Sequence, residues 1–338
     1  MEQLAIRTLP FLTMMENARI PAITTAFNLL TYLGDEKLFV VIALIVFWCF
    51  SKRGGLYMLT VGFGASAVGQ TLKMLLHVRR PWELGFEGAD ATAKNGFSGD
   101  GLLGKIMSKL GEGADGWSFP SGHTLIGVGT YGSMAAWFRS KWVRTVGFIL
   151  AFLIPVTRLY LGVHTPLDII AGAAIALALV FLLRPVFRSD GAKKIRIVLI
   201  GSIALTCVLL GVTYLARPAG LEGEGIANYA SGIKNLWQLI GATAAVWLAF
   251  EVDERWTHFD TRAAWWAQLL KIAGGCVIVL GLQMGIQKIF GYDSKAMTLD
   301  NMTRMGIIAC AANFAALAGG MAAWPMSFSW FASLGHKN

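Results

Sequence analysis

Three short stretches of this chain hold polar residues whose types and spacing could do chemistry on an anion. "KMLLHVRRP" places Lys73 and Arg80 seven residues apart and ends in Pro81. On a helix those two cations would share a face about two turns apart, with Pro81 disfavouring helical backbone at Arg80 and stopping the helix there. "PSGH" places Ser121, Gly122 and His123 after Pro120, at the start of an apolar run. Ser121 there reads as a helix N-cap and His123 as a polar residue of the first turn, and a helix start of this kind also suits an anion, through its free N–H groups and dipole. "TRLYLGVHTPLD" holds Arg158, His164 and Asp168. Thr165, Pro166 and Asp168 make a helix start, with Thr165 as N-cap and Asp168 as the acid of the first turn. In that geometry Asp168 could orient the imidazole of His164 and stabilise it as a cation, which would make His164 a nucleophile.

The elements that must carry these residues are set by composition. Over 338 residues the chain is 55% hydrophobic and 14% charged, with a mean hydropathy of +0.58. That places it in a bilayer. Gly55 to Leu72, Pro166 to Leu183, Ile197 to Ala216 and Met305 to Trp324 are each roughly long enough to span at about 20 residues. Leu38 to Phe50, Ser121 to Phe138, Thr145 to Thr157, Leu236 to Phe250 and Ala263 to Gln287 are shorter or interrupted. The expectation is an all-α polytopic bundle of about nine spans. From Ile20 to Leu33 the apolar residues recur at helical spacing, which reads as an outer interfacial helix. The organisation expected is a lead-in over 1–34, a catalytic core over 35–190 and additional spans over 191–338.

Charge gives orientation. The turn Ser51-Lys52-Arg53, the turn at Arg139 to Arg144 and the segment Arg184 to Arg196 are cation-rich, as inner loops are. The loop from Trp82 to Trp117 carries six acids against three lysines and is expected outside. The net charge of +9 then belongs to loops facing anionic lipid, not to a nucleic-acid surface. Lys73, Arg79, Arg80 and Arg158 fall on the opposite side, where snorkelling to headgroups or an anion site would each account for them. Cys49, Cys207, Cys276 and Cys310 lie in apolar runs, so packed thiols are expected, and nothing has metal-ligand spacing. The first thirty residues lack an uninterrupted apolar segment of the signal-peptide kind. Lys271, Gln283, Gln287 and Lys288 share a helix face that packing and snorkelling explain, while the acidic segment Glu251 to Arg262 is unusual for an inner loop.

Together the three stretches resemble the signature of the type 2 phosphatidic acid phosphatase superfamily, in order and each at the outer end of a span. The resemblance covers roughly Leu38 to Arg188, and the placement of spans is also similar to that of glucose-6-phosphatase, a member with nine. It implies a six-helix-like catalytic core in which Lys73, Arg80, Arg158, Ser121 and the Gly122 N–H hold a phosphoryl group. His164 would attack phosphorus with Asp168 orienting it, and His123 would serve as acid and base. No metal or other cofactor is implied. Thr157 departs from the family's usual serine but keeps a hydroxyl. The substrate expected is a lipid phosphate or diphosphate, of polyprenyl or phosphatidyl type, handled at the extracytoplasmic face of a bacterial inner membrane. A sugar-phosphate phosphatase or a lipid phosphotransferase of the same superfamily is the nearer alternative, and an anion transporter without hydrolysis the more distant one.

Overall fold

A computed structural model describes residues 1–96, 113–114, 116–189, 191–293 and 296–333, so about half of the acidic loop lies outside the described residues. The described chain is helical, with no strand among its residues. Three short helices, α1 (Glu2–Arg7), α2 (Leu9–Asn17) and α3 (Pro21–Leu30), lead to a 3₁₀ turn over Thr31–Gly34. They are followed by α4 (Glu36–Ile45), α5 (Lys52–Leu76), the short α6 (Ala91–Asn95), α7 (Gly122–Trp137), α8 (Lys141–Tyr160) and α9 (Pro166–Arg188). The remainder comprises α10 (Ala192–Leu215), α11 (Glu224–Val252), α12 (Trp265–Ile289), α13 (Met302–Ala318) and α14 (Phe328–Ser333).

Among the described residues, five segments are long and apolar enough to cross a bilayer: α8, α9, α10, α12 and Met302–Phe331. The other four expected spans are helical but shorter or more polar. Leu38 to Phe50 falls on α4 and the π turn that continues it, and Leu236 to Phe250 falls within α11, a helix of 29 residues that carries charges. α5 has 25 residues interleaved with Gly, Ser, Thr and Gln. α7 has 16, which at 1.5 Å per residue is about 24 Å and shorter than a hydrocarbon core of about 30 Å. Its residues from Thr124 to Ser133 are buried, so its walls are protein.

The chain forms two compact units. One comprises Met1–Phe39 and Val68–Phe181, the other Val40–Ala67 and Leu182–Asn338. In the first, α7 lies close against α8 through small residues. A Cβ at Gly147 would come 2.8 Å from the Tyr131 carbonyl oxygen, and one at Gly127 2.8 Å from Ile154. The helical spacing read over Ile20 to Leu33 is realised as α3 and the 3₁₀ turn, which pack against α8. Arg19 donates through Nε to the Tyr160 carbonyl at 2.8 Å, the Ile20 N–H donates to the Tyr160 hydroxyl at 2.9 Å, and Phe27 meets the Tyr160 ring edge-on.

In the second unit the acidic segment finds its explanation. Asp253 pairs with Lys52 at 2.7 Å, and Glu251 pairs with Arg196 and with Arg255. These acids therefore sit among the cations of the predicted inner loops and answer them. Lys271 is fully buried, as packing predicts. Its ammonium donates to the Asp260 and Thr261 carbonyls at 3.3 and 3.4 Å and stands 4.5 Å from the centre of the Phe328 ring. All four cysteines are free.

The glycine packing generates a stability prediction. Gly147→Ala should push against backbone, which cannot swing away, and lower thermal stability in detergent by about 1–3 kcal/mol, the usual range for overpacking. Gly201→Ala, where nothing lies within 4 Å, should be neutral or stabilising by up to about 1 kcal/mol. Equal melting temperatures for the two variants would contradict the packing described.

Candidate active site

Each of the three stretches reaches the site by a different local device. α5 carries Lys73 in its last turn and ends at Leu76, earlier than Pro81 alone would require. His77 turns left-handed at φ 49°, and Pro81 holds Arg80 extended, at φ −69° and ψ 156°. Lys73 and Arg80 therefore do not share a helix face, contrary to the sequence expectation: non-helical chain brings Arg80 inward instead. Glu83 accepts the Arg80 backbone N–H at 2.7 Å and fixes that bend. The Arg80 side chain, 5% exposed, donates through Nε to the Gly116 carbonyl at 2.9 Å and through Nη1 to that of Val163 at 3.2 Å. Lys73 donates to the Trp117 carbonyl at 2.6 Å. Arg79 points elsewhere, into an exposed bidentate pair with Glu2.

The second stretch begins α7 as expected. Ser121 is its N-cap, accepting the Thr124 N–H at 3.4 Å, and its own N–H donates to the Asp168 carbonyl at 3.1 Å. A Cβ at Gly122 would meet nothing within 4 Å. The space beside Gly122 is thus open, in the first turn of a helix, where backbone N–H groups lack intrahelical acceptors. His123, half-buried, feels the charges of Arg158, Arg80 and Lys73 and the imidazole of His164.

The third stretch turns between α8 and α9. Gly162 adopts φ +72°, and a Cβ there would collide with Phe86 and approach Arg19, so the turn that presents His164 needs glycine for both conformation and space. Thr165 and Asp168 form the predicted cap: Asp168 Oδ2 accepts the Thr165 N–H at 2.7 Å, and Thr165 Oγ1 accepts the Asp168 N–H at 3.4 Å. His164 is 2% exposed. Its Nδ1 stands 3.4 Å from Asp168 Oδ2, too far for a strong hydrogen bond.

Ser118, which the sequence reading did not single out, closes that gap. Its hydroxyl donates to Asp168 Oδ2 at 2.7 Å and lies 3.3 Å from His164 Nδ1. The other ring nitrogen, Nε2, faces Arg80 Nη1 at 2.9 Å. Since a guanidinium only donates, Nε2 offers its lone pair and Nδ1 carries the proton toward Ser118 and Asp168. Burial, and after it the charges of Arg80, Arg158 and Lys73, hold the His164 imidazole well below its ordinary pKa. The ring is thus kept neutral, with Nε2 aimed at the cations.

Arg158, 3% exposed, donates through Nη1 to the Thr31 hydroxyl at 2.8 Å. Thr31 was also missed, since it lies 127 residues away in a segment read only as an amphipathic helix. The hydroxyl of Thr157 is occupied by the Ile154 carbonyl at 2.7 Å, within α8. Among the described residues no three His, Cys, Asp or Glu side chains are grouped to hold a metal ion.

Comparison with known proteins gives this arrangement a context. Residues 54–192 match the PAP2 superfamily, and residues 237–331 match the transmembrane extension of PAP2 superfamily phosphatases. An undecaprenyl-diphosphatase of Sulfolobus acidocaldarius is 39% identical over 79 residues, 23% of this chain and 38% of that protein. A lipid A 4'-phosphatase of Bacteroides thetaiotaomicron is 38% identical over 65 residues, 19% of this chain and 29% of that protein. The matches therefore span well under half the length of either relative. No solved structure matches. With a PAP2 superfamily match over the three polar stretches and a transmembrane-extension match over the later helices, the chain is an integral-membrane member of the PAP2 superfamily.

Proposed function

We propose that this protein hydrolyses a lipid phosphate or diphosphate through a phosphohistidine formed on His164. The observation that carries the reading is the buried His164, with Nδ1 backed by Ser118 and Asp168 and Nε2 turned to Arg80. An incoming phosphoryl oxygen takes over the Arg80 N–H and frees the Nε2 lone pair. Nε2 attacks phosphorus, the bond to the bridging oxygen breaks, and His123 gives its proton to the leaving oxygen. His123 then takes a proton from water, whose oxygen attacks phosphorus, and the phosphorus–nitrogen bond breaks to release inorganic phosphate. Lys73, Arg80 and Arg158, with Ser121 and the Gly122 N–H, hold the equatorial oxygens and stabilise the charge that builds there. These fixed cations supply the charge stabilisation that a metal would otherwise give.

A lipid suits the position of the site. Lys73 lies in the last turn of α5 and Asp168 in the first turn of α9, while the basic residues Lys52 and Arg188 lie at the opposite ends of those helices. With the basic ends inward, the site opens at the outer interface of a plasma membrane, where a tail can stay in hydrocarbon while its phosphate enters. The relatives named for undecaprenyl diphosphate and lipid A fit the same class.

His164→Ala should abolish phosphate release, and His123→Ala should lower it roughly 10²- to 10⁴-fold. Ser118→Ala should lower kcat about ten- to a hundredfold, the worth of a hydrogen bond to a charged group. Vanadate should inhibit the native enzyme and chelators should not. Retained turnover in His164→Ala, or metal-reversible loss in a chelator, would reject the mechanism.

For the substrate, kcat/KM on a polyprenyl or diacylglycerol phosphate should exceed that on glucose 6-phosphate by at least about tenfold, since each buried methylene contributes about 0.8 kcal/mol. Equal or better turnover of glucose 6-phosphate would shift the assignment to a sugar phosphatase. For orientation, in a background without native cysteines, Glu87→Cys should react with an impermeant thiol reagent outside intact cells and Lys193→Cys should not. The reverse labelling would place the site in the cytoplasm.

A further inference from the structure

The side chain of Arg158 is held in an unusual way for a group of its charge. It is almost wholly buried, and Nη1 makes a 2.8 Å hydrogen bond to a neutral hydroxyl, that of Thr31. Nε is buried with no hydrogen-bond partner among the described residues. A guanidinium has two edges suited to bidentate binding, and the Nε–Nη2 edge lies away from Nη1. Thr31 therefore occupies the far corner of the fork and leaves the Nε–Nη2 edge for a ligand. Leaving an N–H of a buried cation unpaired is costly and calls for an explanation.

Thr31 is itself held firmly. It is buried and begins the 3₁₀ turn. That turn is seated between the two helices that bear site residues. The Tyr131 hydroxyl of α7 donates to the Leu33 carbonyl at 3.0 Å. A Cβ at Gly34 would stand 2.7 Å from Ile154 of α8 and 3.1 Å from the His123 carbonyl oxygen. One turn before Thr31, the buried Asn28 donates to Asp90 at 3.0 Å. The placement of the Thr31 hydroxyl is thus fixed from both flanks, and Arg158 is fixed by it.

We propose that Thr31 is a positioning residue of the phosphate site: it holds Nη1 of Arg158 so that the Nε–Nη2 edge meets two oxygens of the phosphoryl group. The N-terminal segment then belongs to the anion-binding machinery, although none of the three motif stretches reaches it. The inference rests on the phosphatase reading only in naming the group as a transferring phosphoryl. Any tetrahedral oxyanion bound by Arg158 would depend on Thr31 in the same way.

The test uses the full-length protein in detergent and three variants: Thr31→Val, which keeps shape without the hydroxyl, Thr31→Ser, which keeps the hydroxyl, and Arg158→Lys, which removes the fork. Two readouts are taken, hydrolysis of a lipid phosphate and the affinity for vanadate and inorganic phosphate measured by calorimetry without turnover. Thr31→Val should weaken vanadate affinity and lower kcat/KM by about ten- to a hundredfold, with the native melting temperature nearly kept. Thr31→Ser should stay within about threefold of native, a hydroxyl in the same place making the same hydrogen bond. On the Arg158→Lys background, Thr31→Val should have little further effect, because the two act as one unit. Full additivity of the two changes, or failure of Thr31→Ser to restore vanadate affinity in a folded protein, would overturn the proposal. If the native protein binds vanadate tightly but cleaves no lipid phosphate, the phosphatase reading fails while the Thr31 test still stands. If it binds neither vanadate nor phosphate, the Thr31 proposal falls too.

Discussion

The site depends on what Asp168 accepts and gives. One carboxylate oxygen takes the Thr165 N–H and the Ser118 hydroxyl, while the Asp168 backbone carbonyl takes the Ser121 N–H. A single residue thereby closes the start of α9, seats the loop before α7 and anchors the helix start that faces the open space at Gly122. Were its side chain removed, the Thr165 N–H and the Ser118 hydroxyl would lose a common acceptor at once. Burying such a group is unfavourable unless its hydrogen bonds are made; Oδ2 makes two, which are also those that align the motifs, while Oδ1 is buried with no hydrogen-bond partner among the described residues.

The cations are arranged on a different principle. Lys73 rests on the Trp117 carbonyl, and Arg80 rests on those of Gly116 and Val163. A carbonyl oxygen holds a cation in place through partial rather than full charge. Arg79 shows the contrast: it is paired with Glu2 at the surface, and it has no part in the cradle.

The residues of the candidate site were legible in the sequence because residue type and spacing mark them. His123, His164, Asp168, Lys73, Arg80 and Arg158 stand out as polar residues at the ends of apolar runs. What was not legible is how they are held. The left-handed turn at His77 brings Arg80 in from extended chain rather than from a helix face, and no local pattern announces it. Ser118 carries a signal only in hindsight, as a small polar residue two positions before Pro120, and Thr31 carries none, because its partner is distant in sequence. The all-helical class follows from hydropathy, but a count of spans does not. α7 is buried by protein, and a helix with protein walls can carry glycine and hydroxyl side chains that a lipid-facing one would avoid. The acids between Glu251 and Arg262 were puzzling only until their partners Lys52 and Arg196 were known.

The brevity of α7 bears on how the chain enters the membrane. Sixteen residues that include Thr124, Thr130 and Ser133, all buried, gain little from hydrocarbon alone, whereas α8 is apolar and long enough to cross. The two are joined by a turn of only three residues, 138–140, and are closely fitted at Gly127 and Gly147. During biogenesis they would therefore insert as a helical hairpin, with α8 providing the driving force and α7 carried in against it. The helix that opens the candidate site is delivered by its neighbour.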